Sequence, residues 1–266
     1  MINNSFYWKE RKENAQRARK HLEEIQSCPI GESIIYQTED CRKLGGFGET
    51  IKIGSGWKET DTMSVKTLDN DSVSAVFDAV MNTFGPVCVL NFASYKHPGG
   101  RFLEGSMAQE ESLCHESSLY NVLKVQEEYY GWNKEHTNNN LYMNRAIYSK
   151  DVVFVRDGKI CRADVLTCAA PNRSIKTAAD APVSKSENSK ALTERIQFIL
   201  TVMKLNNVSI AILGAFGCGV FRQDAKEVAE IFKEYTRLAG INNVIYAVPS
   251  KASSSNYDDF ISVINC

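Results

Sequence analysis

Five short, nearly uninterrupted apolar runs punctuate the chain, at 87–92 (VCVLNF), 152–155, 165–170, 208–213 and 244–248. Runs of this length, bounded by polar and turn residues, suit strands covered on both faces. Between them the apolar spacing changes to that of helices. Val73, Val76, Phe77 and Val80 lie on one helical face behind Asn70-Asp71-Ser72, which can cap it. A long helical segment covers about 188–205, and another covers 225–238, opened by Asp224 with Glu227 three residues on, a capping-box pattern. Residues 6–25 read as a polar helix with a thin apolar edge. Buried strands alternating with helices predict α/β layers around a mostly parallel sheet. In such sheets ligands sit at the carboxyl ends of the strands.

Residues 26–60 are mixed, with turns expected at Gly45-Gly46 and Gly54-Ser55-Gly56. The expected organisation is an N-terminal extension over 1–60 packed on a main domain over 61–266. No repeat or low-complexity tract is seen. The 266 residues, 43% hydrophobic and 24% charged, are ordinary for a globular chain. A net charge of −1 gives no global nucleic-acid footprint. The helix at 6–25 carries six Lys or Arg but also four Glu, so it reads as a solvated helix rather than a nucleic-acid arm. No run approaches a membrane span, and the N-terminus lacks the apolar core of a secretory signal. Eight scattered cysteines without a C-x-x-C pair argue against zinc and a disulfide scaffold, and for reduced thiols in a cytoplasmic protein.

Two loops fall at the expected carboxyl edge. The first follows VCVLNF and contains His97-Pro98-Gly99-Gly100-Arg101, then Gln109-Glu110-Glu111. Ser106 and Gln109 stand in the relation of a capping box, so a helix is expected from about Met107. Two acids in a first turn can merely complement the helix dipole. Behind a glycine turn at a sheet edge they also suit acid–base chemistry on a ligand with sugar and phosphate. Adjacent helical positions point about 100° apart, so different roles are expected for the two carboxylates. The second loop, 213–221 (LGAFGCGVF), runs from strand to helix and can wrap a diphosphate with backbone N–H groups. It matches neither G-x-G-x-x-G nor a Walker A sequence. Phe221 can stack on a base or ribose, or simply fill the core. Cys218 can gain thiolate character in an anion seat, although packing is the plainer reading. His97 and His115 have no nucleophile placed with them and read as incidental. Tyr129-Tyr130-Gly131-Trp132 and Asn138-Asn139-Asn140 suggest a surface loop at the rim of the site.

Together, NFASYKHPGGRFLEGSMAQEESL at 91–113 and LGAFGCGVF at 213–221 resemble the poly(ADP-ribose) glycohydrolases of microbial type. That family carries a glycine triplet, a spacer and Gln-Glu-Glu. The likeness continues through DVVFVRDG, VLTCAAPN and YAVPS, over about residues 70–250. It implies a three-layer α/β/α macrodomain with a mixed, mostly parallel sheet and an N-terminal helical extension. It also implies hydrolysis of ribose–ribose bonds with release of ADP-ribose, without cofactor or metal. By resemblance Glu111 is the general acid that then deprotonates water, and such an acid must hold a proton, which burial beside phosphate favours. Glu110 orients ribose hydroxyls, Gln109 steadies the loop, and Gly217, Cys218 and Gly219 face the diphosphate, with the ribose under Phe221. The expected substrate-binding set is Asn91, Ser94, Gly99, Gly100, Arg101, Gln109, Gly214, Phe216, Gly217, Cys218, Gly219, Val220 and Phe221. The partner is ADP-ribose or its polymer, free or attached to protein, with no nucleic acid and no membrane. The rival readings are a mono-ADP-ribosyl hydrolase and a non-catalytic ADP-ribose-binding module. One departure stands out. Arg101 replaces the third glycine, where its guanidinium could pair with phosphate or narrow the cleft.

Overall fold

The computed structural model describes residues 4–43, 64–83, 85–174, 183–250 and 254–266, with side chains from residue 7 and not at 41–43. The glycine turns expected at 45–46 and 54–56, and the boundary near residue 60, lie outside them. The element order is α1 (Asn4–Glu24), β1 (Ser33–Gln37), α2 (Thr38–Lys43), β2 (Ser64–Leu68), α3 (Ser72–Val80) and β3 (Val87–Phe92). A 3₁₀ turn at Phe102–Glu104 precedes α4 (Gln109–His115), α5 (Leu119–Lys124), α6 (Glu127–Glu135), β4 (Arg145–Arg156) and β5 (Lys159–Cys168). Then come α7 (Lys185–Leu205), β6 (Ile210–Leu213), α8 (Ala225–Ala239), β7 (Asn243–Ala247) and α9 (Asn256–Ile264).

The strands form one seven-stranded sheet in the order β1-β4-β5-β3-β6-β7-β2. Only β4 runs against its neighbours; β5, β3, β6, β7 and β2 are mutually parallel. The central strands alternate strictly between two cores, as strand geometry requires. Cys88, Leu90, Ala211, Leu213, Val244 and Tyr246 face α7, α8 and α9, whereas Val87, Val89, Ile210, Ile212, Ile245 and Ala247 face α1, α3, α4 and α5. This is the three-layer arrangement. Residues before 60 do more than rest on it, because β1 is itself the antiparallel edge strand beside β4.

Capping follows the sequence in two helices and departs from it in one. Asp71 accepts from Val73 and Ser74 N–H at the start of α3, and Asp224 accepts from Lys226 and Glu227 N–H at the start of α8. The box expected at Ser106 and Gln109 does not form. Helix α4 starts at Gln109 behind Ala108, without a side-chain cap, because the Gln109 amide is engaged with a neighbouring strand. A capping box does open α7, at Ser184 and Glu187. Strands β3 and β6 are parallel neighbours, so the loops that follow them leave from the same edge.

Candidate active site

The first loop is organised by a run of three side chains on α4. Gln109 Oε1 accepts from Phe92 N–H (2.8 Å), Glu110 Oε2 from Ser94 N–H (2.6 Å), and Glu111 Oε1 from Arg101 N–H (2.9 Å). Each therefore ties the short helix to the backbone of β3 or of the loop after it. Gln109 is fully occupied, since its Nε2 also donates to Leu90 O (2.9 Å) and Ser72 Oγ (3.1 Å). It ties the end of β3 to α4, with both amide hydrogens engaged inside the protein. Asn91 is buried behind the pair, donating to Glu110 Oε1 (3.3 Å) and Thr167 Oγ1 (3.2 Å). It supports Glu110 rather than reaching into the cleft.

The two acids converge despite their different helical directions. A methyl group built on Gly100 would lie 2.6 Å from Glu111 Oε1 and 3.1 Å from Glu110 Oε2, and Gly100 itself has φ +59. Glycine is thus required there both for conformation and for space. Both carboxylates are nearly buried. Burial, reinforced by the charge of Glu111 and opposed by the Ser94 N–H and Asn91 amide, pushes the Glu110 carboxyl up to about 8. At neutral pH Glu110 therefore mostly keeps its proton. The third signature position costs no backbone strain for arginine, because Arg101 has φ −113. Its side chain is 68% exposed and lies beside Glu104 at 3.9 Å.

The second loop is held from beneath. Gly217 has φ +77, and a methyl group there would lie 2.6 Å from Ala170 Cβ and 3.0 Å from Gln223 Cγ. Gln223 in turn donates to Pro171 O (2.7 Å) and Asn188 Oδ1 (2.9 Å), so the segment after β5 underpins the loop. The Phe216 and Cys218 amides turn inward, to Gly214 O (2.7 Å) and Ala215 O (3.2 Å). The amides of Gly217, Gly219 and Val220 have no protein partner among the described residues, and Gly219 and Val220 are exposed. Gly214 is buried, where a methyl group would lie 2.6 Å from Ala247 O, so it serves packing.

Several expectations change here. Phe216 is fully buried edge-on to Phe92 at 5.7 Å, a core residue rather than a ligand contact. Cys218 gains no thiolate character, because burial and the nearby Asp224 push its thiol up to about 12. Phe221 is half-buried, with its ring 5.9 Å from Tyr142, which stacks on Tyr95 at 4.1 Å. Gly99 packs under Tyr120. The Tyr129–Trp132 cluster is no surface loop: it lies in α6, with both tyrosines buried and Arg145 over the Trp132 ring at 4.7 Å. His97 is exposed. His115 is buried edge-on to Phe102, and burial with nearby Arg17 and His21 lowers it to about 4.

Some supports carried no sequence signal. Thr167, Gln223 and Asn188 act through contacts far apart in the chain. So does Arg11 of α1, whose Nε donates to Glu104 O (3.0 Å) and whose Nη2 pairs with the Glu104 carboxylate (3.3 Å).

A three-layer α/β fold, with a buried acid pair and an open-amide glycine loop on adjacent parallel strands, is that of a macrodomain-like hydrolase. The model of the microbial-type PARG catalytic domain matches residues 4–157. The chain belongs to that family of poly(ADP-ribose) glycohydrolases. The match includes α1 and β1. No curated protein matches. Among solved structures, the poly(ADP-ribose) glycohydrolase of Thermomonospora curvata is 26% identical with a TM-score of 0.76, covering 94% of this chain and 89% of that one. The enzyme of Deinococcus radiodurans, in complex with ADP-ribose, is 26% identical with a TM-score of 0.77, covering 88% of this chain and 94% of that one. Another Thermomonospora curvata structure, bound to the inhibitor ADP-HPD, is 24% identical with a TM-score of 0.73, covering 93% and 88%. No helix among the described residues is long and apolar enough to cross a membrane.

Proposed function

We propose that this chain cleaves ribose–ribose bonds of poly(ADP-ribose) at the Glu110–Glu111 pair and releases ADP-ribose. The observation that carries the assignment of roles is the backbone bond from Arg101 N–H to Glu111 Oε1, which leaves the second carboxylate oxygen available to the substrate. With the substrate diphosphate beside it favouring its protonated form, Glu111 delivers that proton to the departing oxygen, the C–O bond breaks, and an oxocarbenium-like ribosyl centre develops. The Glu111 carboxylate then takes a proton from the attacking water, and the water oxygen bonds to the ribosyl carbon. Glu110, held by Ser94 N–H and Asn91 and mostly protonated near neutral pH, orients a ribose hydroxyl. The outward amides of Gly217, Gly219 and Val220 seat the diphosphate, and the half-buried Phe221 ring lies under the ribose. The substrate is the polymer, free or attached to protein. The described thiols are all unpaired, which fits a reducing cytoplasm.

The test is incubation with poly(ADP-ribose) and, separately, with mono-ADP-ribosylated protein. Wild type releases ADP-ribose from the polymer. Glu111→Gln keeps an acceptor for Arg101 N–H but loses the proton, so kcat falls about 10²- to 10⁴-fold while ADP-ribose binding survives. Release from the mono-modified protein alone would point to the rival hydrolase. Binding without turnover by wild type would point to a reader module.

A further inference from the structure

The outer side of the catalytic loop carries an aromatic and cationic surface that the chemistry above does not use. Trp8 is 59% exposed and Tyr7 45% exposed, unusual for side chains of this size on a docked helix. The Trp8 and Tyr7 rings meet edge-on at 5.5 Å, and the Arg11 guanidinium lies over the Trp8 ring at 6.0 Å. Arg11 bonds Glu104, and Glu104 pairs with Arg101, whose own backbone N–H holds Glu111. A continuous line of contacts thus runs from the catalytic carboxylate outward to Trp8. The placement is rigid, because Gly105 abuts the backbone of α1 so closely that a methyl group there would run into the Arg11 carbonyl oxygen.

We propose that this surface is a subsite for the leaving side of the polymer, with Trp8 stacking an adenine and Arg101 facing a diphosphate. The proposal rests on the hydrolase reading given above. Beyond the scissile bond the polymer continues as adenosine and diphosphate, and a flat exposed ring beside cations is the surface that such a strand fits. Charge agrees. Glu104 is shared by Arg11 and Arg101, and the first turns of α1 expose Lys9 and Lys12 beside Glu10. The arginine at the third signature position then belongs to strand recognition, its exposed side chain lying beside Glu104.

The experiment compares polymer with a one-unit substrate, ADP-ribose carrying a small phenolic leaving group. Trp8→Ala should raise KM for polymer about tenfold, the scale of one lost base–aromatic stack. Its kcat/KM for the one-unit substrate should stay at wild type, and Trp8→Phe should restore most of the polymer KM. Arg101→Gln, which keeps the backbone N–H, should also raise polymer KM and flatten its salt dependence. An unchanged polymer KM in Trp8→Ala overturns the subsite, as does an equal loss on both substrates. Loss of single-stranded DNA binding with normal polymer kinetics overturns it in favour of a nucleic-acid surface. If wild type cleaves neither substrate, the hydrolase reading itself has failed, a separate result.

Discussion

The two glycine loops on adjacent strands direct their backbone amides in opposite ways. In the loop after β3, the N–H groups of Ser94 and Arg101 point inward and are taken by Glu110 and Glu111. In the loop after β6, those of Gly217, Gly219 and Val220 have no protein partner among the described residues. The first loop is built to fix its own reactive groups before any ligand arrives, which is what preorganised catalysis demands. The second leaves its donors open. The glycines differ to match: at Gly100 the nearest neighbour is the tip of the Glu111 carboxylate, whereas at Gly217 it is the packed base of the loop.

The sharpest way to break this contrast is Gly100→Ala. The added methyl meets the flexible end of Glu111, which can move aside, so the damage should fall on geometry more than on folding. An expected kcat loss of about 10²-fold follows from displacing a catalytic group by roughly an ångström. The stability cost should stay near 1–2 kcal/mol from the left-handed backbone. Kinetics beside a urea titration check both. A variant that is unstable yet kinetically normal would put the tight contact elsewhere.

A second test uses the raised carboxyl of Glu110. Folding lifts it from the ordinary 4.5 to about 8, so between those values the folded chain holds a proton that the unfolded chain has lost. Its contribution to stability is complete below about pH 4.5, declines as pH rises, and is gone above about pH 8. His115, lowered to about 4, acts with the opposite sign between about 4 and 6.5. The window from pH 6.5 to 8 is therefore the clean one. Urea midpoints of wild type should fall across it, and Glu110→Gln should remove that part of the fall. Parallel profiles for the two proteins would show that Glu110 ionises normally.

The same contrast explains what the sequence made legible. The central strands announce themselves because both faces are buried, so VCVLNF is apolar at every position but Asn91. Edge strands β1 and β2 are five residues each and only partly covered, which leaves no such run. The amino half of β4 was lost for another reason: the register shifts between Ser149 and Val152, which interrupts the pattern. Both loops could be found from their glycines and acids, since local spacing encodes them. Their supports could not. Thr167 behind Asn91, and Asn188 behind Gln223, are brought in by the sheet and by α7. Gln109 misled through the same physics, because its capping-box spacing was real but its amide serves β3.

The smallest expected effect discriminates best between a binding loop and a merely tight turn. Gly217→Ala must push against Ala170 Cβ and Gln223, neither of which can swing away freely, and it places alanine at φ +77. Stability should fall by about 1–3 kcal/mol, and any weakening of ADP-ribose binding would be mixed with that loss. Gly219→Ala separates the two. Nothing lies within 4 Å of a methyl group there, so stability should change by less than about 0.5 kcal/mol. The methyl would nevertheless stand on the face where the free amides approach a diphosphate. Titration calorimetry with ADP-ribose should show Kd weakened about tenfold, equivalent to roughly one charge-assisted hydrogen bond. If Gly219→Ala binds ADP-ribose as wild type does, the open amides of this loop are not where the phosphates sit.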